Sequence, residues 1–209
     1  MFLRRKCLAS QKAKRLCFDI SLALGLLFTL WAAEEWQNFT GVCSSIREDT
    51  LRLHVVAASN TLQDQYIKLK VKDAILEESR ELFEGCRDID ETHERAAASL
   101  AKLKLTAGEA AAREGFSGPV EVYLTDMYFE TRQYNGFTLP AGTYRALRVE
   151  LGDHRGKNWW CVLYPGLCLP GCTAAQYPQK EEQELVTGEY QIRFALLEAW
   201  QKLTEKTEK

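Results

Sequence analysis

The sequence predicts an α+β domain, with a mainly antiparallel sheet, helices packed on one face, and an N-terminal export or anchor helix ahead of it. Three observations lead to this prediction. A basic segment precedes an apolar one at the N-terminus, one strand and two amphipathic helices follow, and several alternating strands separated by short turns precede a last helix. Strands that follow one another through short turns pair antiparallel, so the helices are expected to cover one face of their sheet.

The N-terminal segment has the layout of a secretory signal or a membrane anchor. Its first 15 residues carry six basic side chains and no acidic one, and residues 20–33 form an apolar run without a charge. The run is 14 residues long, shorter than the roughly 20 that span a bilayer comfortably, so cleavage and retention both stay open. We assign residues 1–35 to a signal peptide or anchor, residues 36–49 to a polar, irregular tether, and residues 50–205 to a single α+β domain.

A strand and two helices open the predicted domain. Residues 51–57 alternate and then become wholly apolar, which is typical of a strand that enters the core. Residues 62–83 carry apolar side chains four positions apart, which predicts an amphipathic helix with a buried stripe of Ile67, Val71 and Ile75. A second helix is predicted from Asp90 to Gly115, and the alanines along one of its faces indicate close packing against a sheet or helix.

Strand patterns dominate the next part of the chain. Residues 120–125 and 146–151 alternate between apolar and polar side chains, and residues 159–164 are mostly apolar, as in a central strand. The Asn-Gly pair within residues 134–137 is a signal for a tight hairpin. A last helix is predicted over residues 189–203.

Charge and cysteine content limit the function of the part after the N-terminal segment. Residues 36–209 carry 21 basic and 26 acidic side chains, a net charge of −5, which argues against a nucleic-acid partner. Five cysteines remain there, and the odd number leaves at least one free or paired between chains. We predict a disulfide between Cys161 and Cys168, which would close a short loop and stabilise the fold by about 2–3 kcal/mol.

The same cysteines allow two chemical alternatives. A nucleophilic Cys161 or Cys168 would need His154 or His54 as its base, but no nucleophile-elbow pattern accompanies them and a cysteine inside an apolar strand is usually inert. A zinc site made of Cys161, Cys168, Cys172 and His154 would lack the usual C-x-x-C spacing. No glycine-rich phosphate loop precedes a helix. The sequence therefore predicts no cofactor and no metal.

Two consecutive tryptophans are either two packed structural aromatics or part of a surface for a protein partner. Trp159 and Trp160 lie in one predicted strand and must point to opposite faces of it, so one can enter the core and the other can face a partner. Tryptophan is enriched among interface hot spots. The candidate partner surface consists of Trp159, Trp160, Tyr144, Phe137, Arg145 and Arg148.

Three segments carry a resemblance to a known family. They are Leu51–Ala74, Leu139–Val149 and Asn158–Cys168, and the end helix around Arg193–Glu198 adds to them. On these segments the chain resembles the stage II sporulation protein R family of endospore-forming bacteria, over most of residues 50–200. It departs from the family at Ala57–Asn60, where the family commonly reads Ala-Asn-Ser-Asp, and after Tyr164, where the family commonly has two prolines.

The resemblance implies a role as a signal between two cells. The family is made in the forespore and exported into the space between the forespore and mother-cell membranes. There it activates a membrane-embedded aspartic protease of the mother cell, which processes the pro-form of sporulation sigma factor E. The family has no established catalytic residues, so we expect this chain not to be an enzyme. Two other classes stay open, an exported thiol-dependent hydrolase and a structural envelope protein anchored by residues 16–33.

Overall fold

The computed structural model describes residues 2–134, 137–166, 177–188 and 193–200. The chain divides into two units, Met1–Gly41 and Val42–Lys209. Helix α1 runs from Phe2 to Glu48, so it forms the first unit and supplies the first turns of the second.

The first unit contains an apolar helical segment whose large side chains between Leu16 and Trp31 are exposed. In the part of the chain that the structure describes, Lys14–Glu48 is the segment long and apolar enough to cross a membrane, judged by length and composition. Leu22, Leu26, Phe28 and Leu30 are each more than half exposed. Large apolar side chains on an uncovered helix suit contact with lipid, so this helix fits the predicted signal or anchor segment.

The segment expected to be an irregular tether is helical instead. Residues 42–48 continue α1 into the second unit, where Cys43 and Ile46 are completely buried. These two side chains are three positions apart and therefore lie on the same side of the helix. Burial also raises the pKa of the Cys43 thiol to about 12. The prediction of a tether was wrong because polar neighbours in the sequence conceal this short apolar stripe.

The second unit is built on a four-stranded sheet with a separate hairpin. The strands are β1 Leu51–Val56, β2 Val120–Phe129, β3 Arg132–Tyr134, β4 Phe137–Leu139, β5 Gly142–Leu151 and β6 Asn158–Tyr164. The sheet order is β2-β5-β1-β6, and β3 pairs with β4. In the sheet β2–β5 and β1–β6 are antiparallel whereas β1–β5 is parallel, which confirms a mainly antiparallel sheet. Tyr134 pairs with Phe137 as the predicted hairpin requires.

Consecutive strands β5 and β6 were expected to pair with each other, and they do not. Strand β1 lies between them, and all six of its residues are buried. The connection over residues 152–157 crosses the end of β1, where the backbone N–H of Gly156 donates to the carbonyl of Ala57 at 2.9 Å. The most apolar strand takes a central position because both of its faces are then covered.

Among the described residues of the second unit, five helices besides the end of α1 accompany the sheet. They are α2 Leu62–Leu82, α3 Ile89–Ala98, α4 Leu100–Arg113, α5 Lys180–Thr187 and α6, residues 193–200. The predicted stripe of Ile67, Val71 and Ile75 is buried. The second predicted helix is divided at Ser99 into α3 and α4. Helix α6 lies within the last predicted helix, whereas α5 was not predicted.

The sheet has two faces of different character. Side chains of α2 and α4 pack on the first face, against Leu53, Val149 and Leu163 among others. The second face carries a smaller cluster of Phe129, Tyr144 and Ala146, with Trp160 packed against it. Helices on one face of the sheet are therefore confirmed, and the second face is the place to look for a functional surface.

Candidate partner-docking site

One row of side chains crosses all four strands on the second face. Tyr123 of β2 lies opposite Arg148 of β5, Arg148 lies opposite His54 of β1, and His54 lies opposite Trp160 of β6. We call these four residues the cross-sheet row. Neighbouring strands are about 4.8 Å apart, so the row is roughly 14 Å long. His54 is buried within it, while the other three side chains are at least partly exposed.

Trp160 forms the β6 end of the row and is held by aromatic contacts. Its ring stacks on His54 with centroids 3.9 Å apart and planes 8° apart, and it meets the edge of Phe129 at 5.0 Å. The Arg132 guanidinium lies 5.5 Å from the Trp160 ring centre. Aromatic pairs of this kind are each worth about 0.5–1.5 kcal/mol beyond burial. The orientation of Trp160 is therefore fixed before any partner arrives.

Glu150 organises the opposite end of the row. Its Oε1 accepts hydrogen bonds from Arg148 Nε at 2.7 Å and from the Tyr123 hydroxyl at 3.1 Å. His154 Nδ1 lies 3.8 Å from the other carboxylate oxygen. Burial and the hydrogen bond to Glu150 raise the pKa of Tyr123, so its hydroxyl stays protonated. One carboxylate thus keeps an arginine and a tyrosine in place at the surface.

His54 is a buried, neutral ring at the centre of the row. Burial lowers its pKa to about 4, and the nearby guanidinium groups of Arg148 and Arg52 act in the same direction. Neither ring nitrogen has a hydrogen-bond partner among the described residues, although the Asn158 side chain is close enough to oppose part of the pKa change. A histidine held neutral in this way acts as a flat support for Trp160 at physiological pH.

Arg52 lies beneath the row and is completely buried. Its guanidinium carbon is 3.9 Å from the centre of the Phe129 ring and 4.8 Å from that of Tyr144. Nη2 donates to the Tyr134 hydroxyl at 2.7 Å, whereas Nε and Nη1 have no hydrogen-bond partner among the described residues. Cation–π contacts with Phe129 and Tyr144 therefore help to stabilise this charge, and the hydrogen bond to Tyr134 attaches the β3–β4 hairpin to the sheet.

The six residues predicted as a partner surface do not lie on one face. Trp160 and Arg148 belong to the cross-sheet row. Trp159 packs with the first-face core, with Lys72 Nζ 4.7 Å from its ring centre. Arg145 also lies on the first-face side of β5, where Nη1 bonds Asp90 of α3 at 2.7 Å. The two tryptophans thus point to opposite faces, as the sequence predicts.

The remaining two candidate residues are structural supports. Tyr144 is only 1% exposed, and its hydroxyl donates to the carbonyl of Pro140 at 2.5 Å. Burial raises the pKa of Tyr144 far above its ordinary value. Phe137 stacks on Tyr134 in the hairpin, with ring centroids 4.6 Å apart. Whether any of the six contacts a partner stays a prediction.

The nucleophile and zinc alternatives both include Cys161, which lies on the opposite face of the sheet from His54. Cys161 packs with the first-face core and is disulfide-bonded, whereas His54 lies on the second face. Cys168 and Cys172 lie outside the described residues, so the pairing of Cys161 with Cys168 stays a prediction. Within residues 2–134, 137–166, 177–188 and 193–200, no group of three histidine, cysteine or acidic side chains is placed to hold a metal ion.

Sequence reasoning missed Tyr123, Arg132 and Glu150 as parts of this surface, and considered His54 only as a base. One signal was available for His54. Arg52 and His54 occupy alternate positions of an otherwise apolar strand, and alternate positions share a face. The positions of Tyr123 and Glu150 depend on strand order and register, which the sequence pattern alone does not supply.

Comparison with known proteins shows that the four strands lie within a segment matched by a protein-family model. A family model described as stage II sporulation protein R matches residues 47–174, which include all four strands of the sheet. The stage II sporulation protein R of Bacillus subtilis (strain 168) is 30% identical over 175 residues, covering 83% of this chain and 78% of that protein. No solved structure matches this chain significantly.

Proposed function

Because the chain belongs to the stage II sporulation protein R family, we propose that it is an exported sporulation signal that activates a membrane-embedded aspartic protease of the mother cell. The activated protease then processes the pro-form of sporulation sigma factor E. The family match carries the sporulation role. The cross-sheet row supports the part of the proposal that concerns docking.

Export is the first step of this function, and the N-terminal helix suits it. The basic residues before the apolar segment stay on the cytoplasmic side, so the remainder of the chain crosses the membrane. For a protein made in the forespore, that direction leads into the space between the forespore and mother-cell membranes. An uncleaved helix would keep the domain at the forespore membrane, and a cleaved one would release it.

Docking is the second step, and the cross-sheet row has the composition of a docking site. Tyrosine, arginine and tryptophan are the residue types that most often dominate interface energetics. Tyr123, Arg148 and Trp160 are partly or well exposed, and Glu150, His54 and Arg132 orient them. Side chains that are already ordered lose little conformational entropy when a partner binds.

Activation by binding requires the signal to prefer the active form of the protease. To convert a population that is 1% active into one that is 99% active, the signal must bind the active form about 10⁴-fold more tightly, or by about 5.5 kcal/mol. Three hot-spot residues that each favour the active form by roughly 2 kcal/mol supply a difference of this size. A row of three exposed anchors is therefore sufficient, and no bond-making group is needed.

Reconstitution in a non-sporulating bacterium tests the proposal. The full chain is co-expressed with the candidate protease and the sigma-factor precursor, and processing is followed by immunoblot. We expect processing only when the chain is exported, and none when residues 1–35 are deleted or when the catalytic aspartate of the protease is replaced. Processing by cytosolic chain, or none with exported and folded chain, would contradict the proposal.

Cysteine replacement separates this function from a thiol-dependent hydrolase. We expect Cys161→Ser and Cys168→Ser to lower thermal stability, by about 2–3 kcal/mol if the two form a disulfide. At a temperature where the variants stay folded, processing of the sigma-factor precursor should persist. Loss of processing with an unchanged melting temperature would favour the hydrolase.

A further inference from the structure

Arg132 is an arginine at the border of the second face that has no counter-charge. It lies in β3, is partly exposed, and holds its guanidinium carbon 5.5 Å from the ring centre of Trp160. Arg148 of the cross-sheet row is instead paired with Glu150 at 2.7 Å. No carboxylate among the described residues forms an ion pair with Arg132. Its guanidinium is therefore available to a carboxylate, which it can hold through two parallel hydrogen bonds.

The two acidic side chains beside the β3–β4 hairpin do not supply this counter-charge. Glu130 comes shortly before β3 in the sequence and is exposed. Glu198 of α6 accepts a hydrogen bond from the backbone N–H of Thr131 at 3.2 Å. Neither carboxylate forms an ion pair with Arg132. A carboxylate that binds Arg132 must therefore come from outside the described part of the chain.

Arg52 adds a second positive charge below the surface. It is completely buried, and no carboxylate among the described residues pairs with it. Burial is the main cause of the lowered pKa of His54, but Arg148 and Arg52 lower that pKa further, with Glu150 acting in the opposite direction. A buried charge is screened by salt less than an exposed one. The surroundings of Trp160 are therefore positive, although residues 36–209 carry a net charge of −5.

The β3–β4 hairpin holds Arg132 in place before a partner arrives. Arg52 Nη2 donates to the Tyr134 hydroxyl at 2.7 Å. Tyr134 is two positions after Arg132 in β3, and alternate residues of a strand share a face. The hydrogen bond that ties Tyr134 to the sheet therefore also turns Arg132 toward the second face. A guanidinium that is ordered in this way loses less conformational entropy when it binds.

We propose that the second face recognises an acidic segment of its protein partner, in which one carboxylate binds Arg132 and a neighbouring apolar side chain packs on Trp160. Since this rests on the proposed function, the partner is the mother-cell protease, and the segment belongs to a part of the protease outside the membrane. Arg132 is the residue that determines specificity. A segment without the carboxylate would remove water from the guanidinium and put no acceptor in its place, which disfavours binding.

Titration of the full-length chain in the reconstituted cells tests the role of Arg132. Arg132→Gln should raise the concentration of exported chain needed for half-maximal processing by about 30-fold, as expected for a hot-spot arginine. Arg132→Lys keeps the charge but not the planar pair of donors, so it should raise that concentration by about fivefold. Arg113→Gln is the matched control and should change it less than about threefold, because Arg113 is 73% exposed on α4, which packs on the first face.

Reciprocal exchange of charge identifies the carboxylate. Acidic residues in the segments of the protease outside the membrane are replaced by lysine one at a time, and each protease variant is combined with wild-type chain and with Arg132→Glu. We expect one lysine variant that responds poorly to wild-type chain and recovers at least about tenfold with Arg132→Glu. Arg113→Glu should give no such recovery. A side chain that only supported the fold could not produce a recovery that depends on the sign of the charge.

Melting temperatures and the response to wild-type chain separate the possible outcomes. Arg132→Gln should melt within about 2 °C of wild type, since the side chain is partly exposed and forms no ion pair among the described residues. If wild-type chain gives no processing, the proposed function fails and this recognition fails with it. If wild-type chain is active and Arg132→Gln matches Arg113→Gln, only recognition by Arg132 is overturned. A loss with Arg132→Gln that no lysine variant of the protease reverses would also overturn it, and would favour a lipid phosphate as the bound anion.

Discussion

Two arginines of one strand provide a matched test of the docking face. Arg148 belongs to the cross-sheet row on the second face, whereas Arg145 lies on the first-face side of the same strand. Each makes an ion pair at 2.7 Å, to Glu150 and Asp90 respectively. Their side chains are similarly exposed, at 26% and 35%. Arg148→Gln and Arg145→Gln therefore remove the same charge from two faces.

The expected costs in stability are small and unequal. The pair of Arg145 with the well-exposed Asp90 is worth about 0.2–1 kcal/mol. Glu150 is only 15% exposed, so losing Arg148 leaves it with the Tyr123 hydroxyl and costs about 1–2 kcal/mol. For a chain of this size each kcal/mol lowers the melting temperature by about 2–4 °C. Both variants should remain folded at growth temperature.

The expected effects on signalling differ far more. A hot-spot arginine contributes 2 kcal/mol or more to binding, so Arg148→Gln should raise the concentration of chain needed for half-maximal processing by about 30-fold. Arg145→Gln should change it less than threefold, or by about 0.6 kcal/mol. The assay titrates exported chain against processed sigma-factor precursor, with protein levels and melting temperatures measured in parallel. Equal effects, or a larger effect of Arg145→Gln, would refute the assignment of docking to the second face.

Three further predictions concern stability. Burial lowers the pKa of His54 to about 4, so the unfolded chain binds a proton first as pH falls from 6.5 to 4. The folded state loses on the order of 3 kcal/mol of stability over that window. His54→Phe keeps a flat ring under Trp160 and should flatten this decline when melting temperatures are measured against pH. Burial raises the pKa values of Glu182 and Asp49, which share a hydrogen bond. The stability that this pair contributes is therefore complete below the ordinary carboxyl pKa values near 4 and is lost as pH rises through the raised pKa values. Glu182→Gln should raise the melting temperature at pH 7.5, and a lower melting temperature would count against a proton shared by the two carboxyl groups. Arg52→Met removes two unpartnered buried nitrogen atoms and should lie within about 1 kcal/mol of wild type in denaturant titrations, whereas Arg52→Ala should cost about 2–5 kcal/mol through the cavity it leaves; a large loss in both would mean that the guanidinium has a further partner.

Local patterns predicted the elements that depend on neighbouring residues. The stripe of Ile67, Val71 and Ile75, the Tyr134–Phe137 pairing and the opposite directions of Trp159 and Trp160 follow from the periods of helix and strand and from turn chemistry. Each is fixed within a few residues of sequence. Such features can be predicted correctly without knowledge of any long-range contact.

Features that depend on distant segments were missed. The insertion of β1 between β5 and β6 joins residues about 100 positions apart, and no pattern within β5 or β6 signals it. The burial of Arg52 results from Phe129, Tyr134 and Tyr144 closing over it, whereas an arginine in a sequence ordinarily indicates surface. The cross-sheet row depends on the same strand order, which explains why only Trp160 and Arg148 of its members were included among the candidates.

Site-specific photo-crosslinking tests the central claim most directly. A photoreactive phenylalanine derivative is placed at Trp160 in the exported full-length chain, with a control at Tyr66, an exposed aromatic residue of α2. The reconstituted cells are irradiated while processing is under way, and cross-linked products are identified by mass. A product joining position 160, but not position 66, to the aspartic protease is the predicted result. Cross-linking from position 66 alone, or from neither position while processing continues, would contradict docking through the second face.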